Sequence, residues 1–407
     1  MRRRSPVAAA VTISAALALV GTACGDGGDA QEAQAPTPME TASPQAAPTT
    51  DSGAAELRAN LTSLLEEHVY LAGIAVNAAV SGGDFDAAAA TLDENSAALA
   101  DAVGSVYGQD ARDAFLELWR THIGFFVDYT NAKAKGYDQA AQQAVEDLDG
   151  YRQDFGAFLS SANPQLTTEA VAEELVPHVE TVLTAIDAAV AGDPSVYGEL
   201  RAAAQVMPGT ANVLAGAIVA QFPEMFDGST DSGAAELRAN LTSLLEEHVY
   251  LAGIAVNAAV SGGDFDAAAA TLDENSAALA DAVGSVYGQD ARDAFLELWR
   301  THIGFFVDYT NAKAKGYDQA AQQAVEDLDG YRQDFGAFLS SANPQLTTEA
   351  VAEELVPHVE TVLTAIDAAV AGDPSVYGEL RAAAQVMPGT ANVLAGAIVA
   401  QFPEMFA

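Results

Sequence analysis

The stretch LTSLLEEHVYLAGIAVNAAVSGGD, residues 61–84, decides the fold. Leu61, Leu64, Leu65, His68, Leu71 and Ala72 recur at the three- and four-residue spacing of one helical face. Gly82 then offers the left-handed conformation that ends a helix, and Asp84 is the residue type that caps the next. The stretch therefore reads as a helix, a stop and a second helix.

The same signature returns twice downstream. Aligning His68 with His122 and His178 places Leu65, Trp119 and Leu175 three residues earlier, and Leu61, Phe115 and Val171 seven residues earlier. Gly82, Gly136 and Gly192 follow each histidine at a common distance, and Asp84, Asp138 and Asp193 follow the glycines. Each segment is a helical hairpin, and three hairpins make one unit. Helices are expected at 54–81, 85–103, 110–135, 139–159, 168–191 and 195–222. Gly150 and Gly156 should weaken the fourth, Pro177 should kink the fifth, and Pro208 with Gly209 should break the sixth. No segment reads as a strand.

Outside this unit a larger repeat appears: Thr50–Phe226 recurs without substitution as Thr230–Phe406. The expected class is all-α, with two identical tandem domains. Each is an up-and-down bundle of about six helices built from three hairpins, with a short solenoid as the alternative topology. The domain reading assigns 1–23 to a lipoprotein signal peptide, 24–52 to a disordered tether and 53–226 to the first bundle. A linker at 227–233 and a second bundle at 234–407 complete the chain.

The N-terminal reading rests on Arg2, Arg3 and Arg4 before the apolar run Val7–Val20 and the small residues Gly21, Thr22 and Ala23. Cys24, the single cysteine, stands where a bacterial lipoprotein carries its lipid, although Gly21 occupies a position usually held by Leu. This predicts an extracytoplasmic protein lipid-anchored to the cell membrane at Cys24, with plain secretion as the alternative. Residues 25–52 lack the apolar content to repay the entropy of folding.

Charge narrows the partners. With 57 acidic against 17 basic residues the net charge is −40, which repels nucleic-acid phosphates and anionic headgroups. An envelope protein or a small ligand is the expected partner.

The histidines are the strongest chemical lead. His68, His122 and His178, with their copies His248, His302 and His358, lie on apolar faces of the odd-numbered helices at similar heights. Three neutral imidazoles with an open fourth position can hold zinc or copper, and haem is a further candidate, though the sequence requires no cofactor. The spacing favours the other reading, core histidines hydrogen-bonded within the bundle, because close-spaced ligand pairs are missing. Asn77, Asn131 and Asp187, each nine residues after a histidine, are the candidate hydrogen-bond partners of the imidazoles. A di-iron site fails because Leu65 and Trp119 occupy the positions that would need glutamate. No catalytic triad, phosphate loop or cysteine nucleophile is present, so no catalytic residue is assigned and a non-catalytic module is expected.

The stretches SVYG at 105–108, LWRTHIGFFVDYT at 118–130 and AIVAQFPEMF at 217–226 resemble a helical domain of secreted and lipoprotein bacterial proteins. That domain often stands beside a small domain of the copper amine oxidase N-terminal type. The resemblance covers the whole unit and implies a secreted helical domain without an assigned activity. Amine oxidase activity is not expected, since those enzymes require an Asn-Tyr motif and a large β-sandwich.

Overall fold

Ser52 opens the first helix by accepting a hydrogen bond from the Ala55 amide at 3.3 Å, and Gly82 closes it at φ 82°. The computed structural model describes residues 48–406, so the signal peptide, most of the tether and Cys24 lie outside the described residues. The helices of the first copy are α1 (Gly53–Ser81), α2 (Phe85–Tyr107), α3 (Gln109–Lys135), α4 (Asp138–Ala162), α5 (Thr168–Glu174), α6 (Val176–Ala191), α7 (Val196–Ala204) and α8 (Met207–Gln221). The second copy repeats them as α9 (Gly233–Ser261), α10 (Phe265–Tyr287), α11 (Gln289–Lys315), α12 (Asp318–Ala342), α13 (Thr348–Glu354), α14 (Val356–Ala371), α15 (Val376–Ala384) and α16 (Met387–Gln401). Joining α5 to α6 and α7 to α8 across their short breaks recovers the six expected rods per copy. The breaks fall just before Pro177 and Pro208, which occupy the first turns of α6 and α8.

Two local expectations need correction. Of the three candidate capping aspartates only Asp84 caps, accepting from the Ala87 amide at 3.0 Å. Asp138 is already the first residue of α4, and Asp193 binds the Ser195 amide at 2.9 Å in the turn before α7. Gly156 does not weaken α4, which runs unbroken through it. A Cβ there would collide with the carbonyl oxygen of Thr168, so the glycine lets α5 lie directly on α4.

Within a copy, α1 is the axis. It packs on α2, α3, α6, α7 and α8, and the return of α8 onto α1 closes the bundle where a solenoid would stay open. α1 also packs along α9 of the other copy. Glu66, Glu67, Val69, Tyr70 and Leu71 are consequently almost fully buried. The two copies, joined by the short segment 227–233, pack directly on one another. The described residues, 48–406, form one unit with a core shared between copies.

The contact between copies is reciprocal. Tyr70 and Tyr250 stack at 5.1 Å, and each hydroxyl donates to a glutamate of the other copy, Glu247 or Glu67, at 3.2 Å. Arg201 Nε meets Glu247 at 2.7 Å, and Arg381 Nε meets Glu67 at 2.8 Å. Asn95 and Asn275 donate to the glutamate of their own copy. Ser63 donates to Glu246 and Ser243 to Glu66, both at 2.7 Å. Glu66 and Glu246 have no basic partner. Burial raises the Glu66 carboxyl well above its ordinary value and pushes Glu246 from 4.5 up to about 8, so both are held protonated near neutrality.

Three outcomes are expected. Adding a methyl group at both equivalent positions, Gly156→Ala with Gly336→Ala, should lower unfolding stability by about 1–3 kcal/mol per site through overpacking, read from urea denaturation. Arg201→Ala leaves Glu247 buried without its cation and should cost about 3–5 kcal/mol, whereas the exposed ion pair of Arg120 should give under about 1 kcal/mol on Arg120→Ala. The glutamates and histidines should together give a bell-shaped stability profile. A carboxyl with a raised folded pKa loses its stabilising effect as pH climbs from 4.5 to about 8, because the unfolded state ionises first. The histidines, with His68 lowered from 6.5 to about 3, His178 to about 4 and His122 well below its ordinary value, lose theirs as pH falls below 6.5. Thermal midpoints should peak near pH 6.5, where the rising limb of the six histidines gives way to the falling limb of the two glutamates, and Glu66→Gln with Glu246→Gln should flatten the alkaline limb.

Candidate metal centre

α3 presents Phe115, Trp119, His122 and Phe126 as one stripe at helical spacing, and all four are buried. α1 brings His68 to this stripe, and α6, entering after the break at Leu175, brings His178. The three histidines of the first copy meet, as do His248, His302 and His358 of the second. One ring nitrogen from each lies within 4.8 Å of the other two. His68 Nε2 and His122 Nε2 are 3.3 Å apart, and the copy repeats that distance between His248 and His302. An ion bound tetrahedrally at about 2.0–2.1 Å sets two imidazole nitrogens about 3.3–3.4 Å apart.

Aromatic rings enclose the cluster. Trp119 lies 4.8 Å from His68 and 4.5 Å from His122, Tyr151 stacks on His122 at 4.9 Å, and Phe126 stands edge-on to His178 at 6.0 Å. The histidines are only 3, 2 and 7% exposed, so the charged imidazolium is strongly disfavoured. Burial, with His178 nearby, lowers His68 to about 3, and burial alone takes His178 to about 4. Burial and the two other imidazoles hold His122 well below its ordinary value, with the Trp119 carbonyl one turn earlier opposing them. All three rings are neutral at pH 7 and present lone pairs without first releasing a proton.

The candidate partners do not support the rings. Nine residues at about 100° per residue place a side chain on the opposite side of the helix from its histidine. Asn77 is exposed, Asn131 donates to its own helix at Val127, and Asp187 receives Tyr129 at 2.9 Å and Lys133 at 3.0 Å. Nδ1 of every one of the six histidines lacks a hydrogen-bond partner. The hydrogen-bonded core reading, which the sequence favoured, keeps only the His68–His122 hydrogen bond and its copy between His248 and His302, with no side-chain partner for His178 or for any Nδ1.

Two further polar atoms were missed from sequence. Trp119 Nε1 and Tyr151 Oη are buried with no hydrogen-bond partner, and Trp299 and Tyr331 repeat this in the second copy. Leaving such a group unpaired costs about 1–3 kcal/mol. Only the convergence of α1, α3 and α4 sets these two rings against the histidines.

Cavities flank the triad on two sides. One of about 100 Å³ is walled by His122, His178, Trp119, Tyr151, Leu65 and Phe155, and it has a counterpart of the same size in the second copy. On the other side, His68 and His178 face a cavity of about 390 Å³ that reaches the Arg120 and Asp93 pair at the surface. In the second copy the equivalent space is divided into about 50 and 200 Å³.

Comparison with family models, curated proteins and solved structures gave no match to the chain, so its chemistry is read from its own geometry.

Proposed function

We propose that each copy reversibly binds one zinc or copper ion through His68, His122 and His178, or through His248, His302 and His358. The observation that carries this reading is the convergence of three neutral, buried imidazoles whose side-chain hydrogen bonds are confined to the cluster. Imidazole suits both metals, and the buried cluster offers neither the thiolates nor the oxygen ligands that would select others. Haem is the poorer fit, since two axial nitrogens need about 4 Å between them with a macrocycle in between. Here two are 3.3 Å apart, and a nitrogen of the third imidazole lies within 4.8 Å of both.

The bare Nδ1 atoms bear on how the ion is held. Partners to a ligating imidazole are worth about 10–100-fold in affinity. A site without them suits uptake and release better than permanent structural binding.

The signal-like N terminus and Cys24 support a place outside the cytoplasm, tethered by lipid, where an exchangeable metal site would meet metal from the surroundings. The second reading is a non-catalytic module for an envelope partner or small ligand, favoured by the 390 Å³ cavity.

Metal analysis of the purified mature chain, after dialysis against zinc or copper and then buffer, should find two ions per chain. His122→Ala should leave one, and His122→Ala with His302→Ala none, with helical circular dichroism retained. Retention of well under one ion by the unaltered chain would dismiss the reading.

A further inference from the structure

The three imidazoles of each site are neutral, and no carboxylate belongs to the cluster. The nearest acids along α1 are committed elsewhere. Glu67 is taken by Arg381, Tyr250 and Asn95, and Glu66 by Ser243 across the contact between copies. A divalent ion at the triad would thus have no negatively charged ligand among largely apolar walls, which is unfavourable.

The unpaired polar atoms beside the triad are of one kind. Trp119 Nε1 can only donate, and the Tyr151 hydroxyl has a proton to donate. Their rings touch the histidines, Trp119 against His68 and His122 and Tyr151 against His122. Both wall the cavity of about 100 Å³ that His122 and His178 also line. Trp299 and Tyr331 stand in the same relation to His302. Two donors without acceptors, next to a place where positive charge would be unbalanced, lack the same thing: an anion with acceptor atoms. The remaining walls, Leu61, Leu65, Phe155 and Val179 among them, are apolar. They suit a monovalent anion with little or no hydrated surface, and the volume admits only a few heavy atoms.

We infer that the fourth coordination position of each site takes a small monovalent anion, a short-chain carboxylate in class, hydrogen-bonded by Trp119 Nε1 and Tyr151 Oη, or by Trp299 and Tyr331. This rests on the metal-binding reading above. The indole and phenol are anion-binding groups in this role, and the metal is held without them.

The test uses the full mature chain loaded with cobalt(II), whose visible spectrum reports its ligands, with cobalt content measured first. Sodium azide and sodium butyrate should each change the spectrum saturably, and sodium sulfate at equal ionic strength should not. Trp119→Phe with Trp299→Phe, and separately Tyr151→Phe with Tyr331→Phe, should weaken azide binding about tenfold or more, as expected for losing a hydrogen bond to a charged group. Cobalt content should remain two per chain. A spectrum indifferent to azide and butyrate with two cobalt ions bound would overturn the anion site and leave the metal site standing. So would an equal response to sulfate, or variants that bind azide as tightly as the unaltered chain. The titration of the unaltered chain stands even if a variant fails to fold. A chain that retains no cobalt removes the metal reading, and this inference with it.

Discussion

The rest of the molecule depends on burying two arginine–glutamate pairs between the copies, Arg201 of α7 with Glu247 of α9 and Arg381 of α15 with Glu67 of α1. Each ion comes out of water, and the cost is recovered only where geometry and further hydrogen bonds satisfy it. Here Glu67 receives Arg381, Tyr250 and Asn95 together, and Glu247 is satisfied in the same way. Such a contact tolerates little sliding. It holds α1 in one register against α9, and α1 in turn carries the bundle around it.

The sequence Glu66-Glu67-His68 divides the labour of that helix. At about 100° per residue, consecutive side chains leave the axis in different directions. The glutamates reach the other copy while the histidine turns inward to its own copy's α3 and α6. The candidate metal centre and the contact between copies thus share one turn of backbone. Position and orientation of His68 are tied to charges that never touch it.

Much of the helical framework was legible because its signals are local. Gly82, Gly136 and Gly192 do adopt left-handed φ at helix ends, and Pro177 and Pro208 stand at the starts of α6 and α8. The shared level of the three histidines was legible too, since similar hairpins place similar positions at similar heights. What failed to show was everything whose partner lies on another element. Glu66 and Glu67 look like a solvated face until α9 covers them. Asn77, Asn131 and Asp187 were chosen by recurrence alone, and the helical period turns them away from the rings. Tyr151 belongs to α4, outside the histidine alignment, and becomes visible only as a ring stacked on His122.

The reciprocal pairing of α1 with α9 also makes the number of copies matter. The hydroxyls of Ser63, Tyr70, Ser243 and Tyr250 and the guanidiniums of Arg201 and Arg381 each find a glutamate on the other copy, so the two copies cover one another's surface along this contact. A chain with a third copy would carry an unmatched face of glutamates, tyrosine and arginine, seeking the same face on another chain. Parity, rather than repetition as such, is what the duplicated text secures.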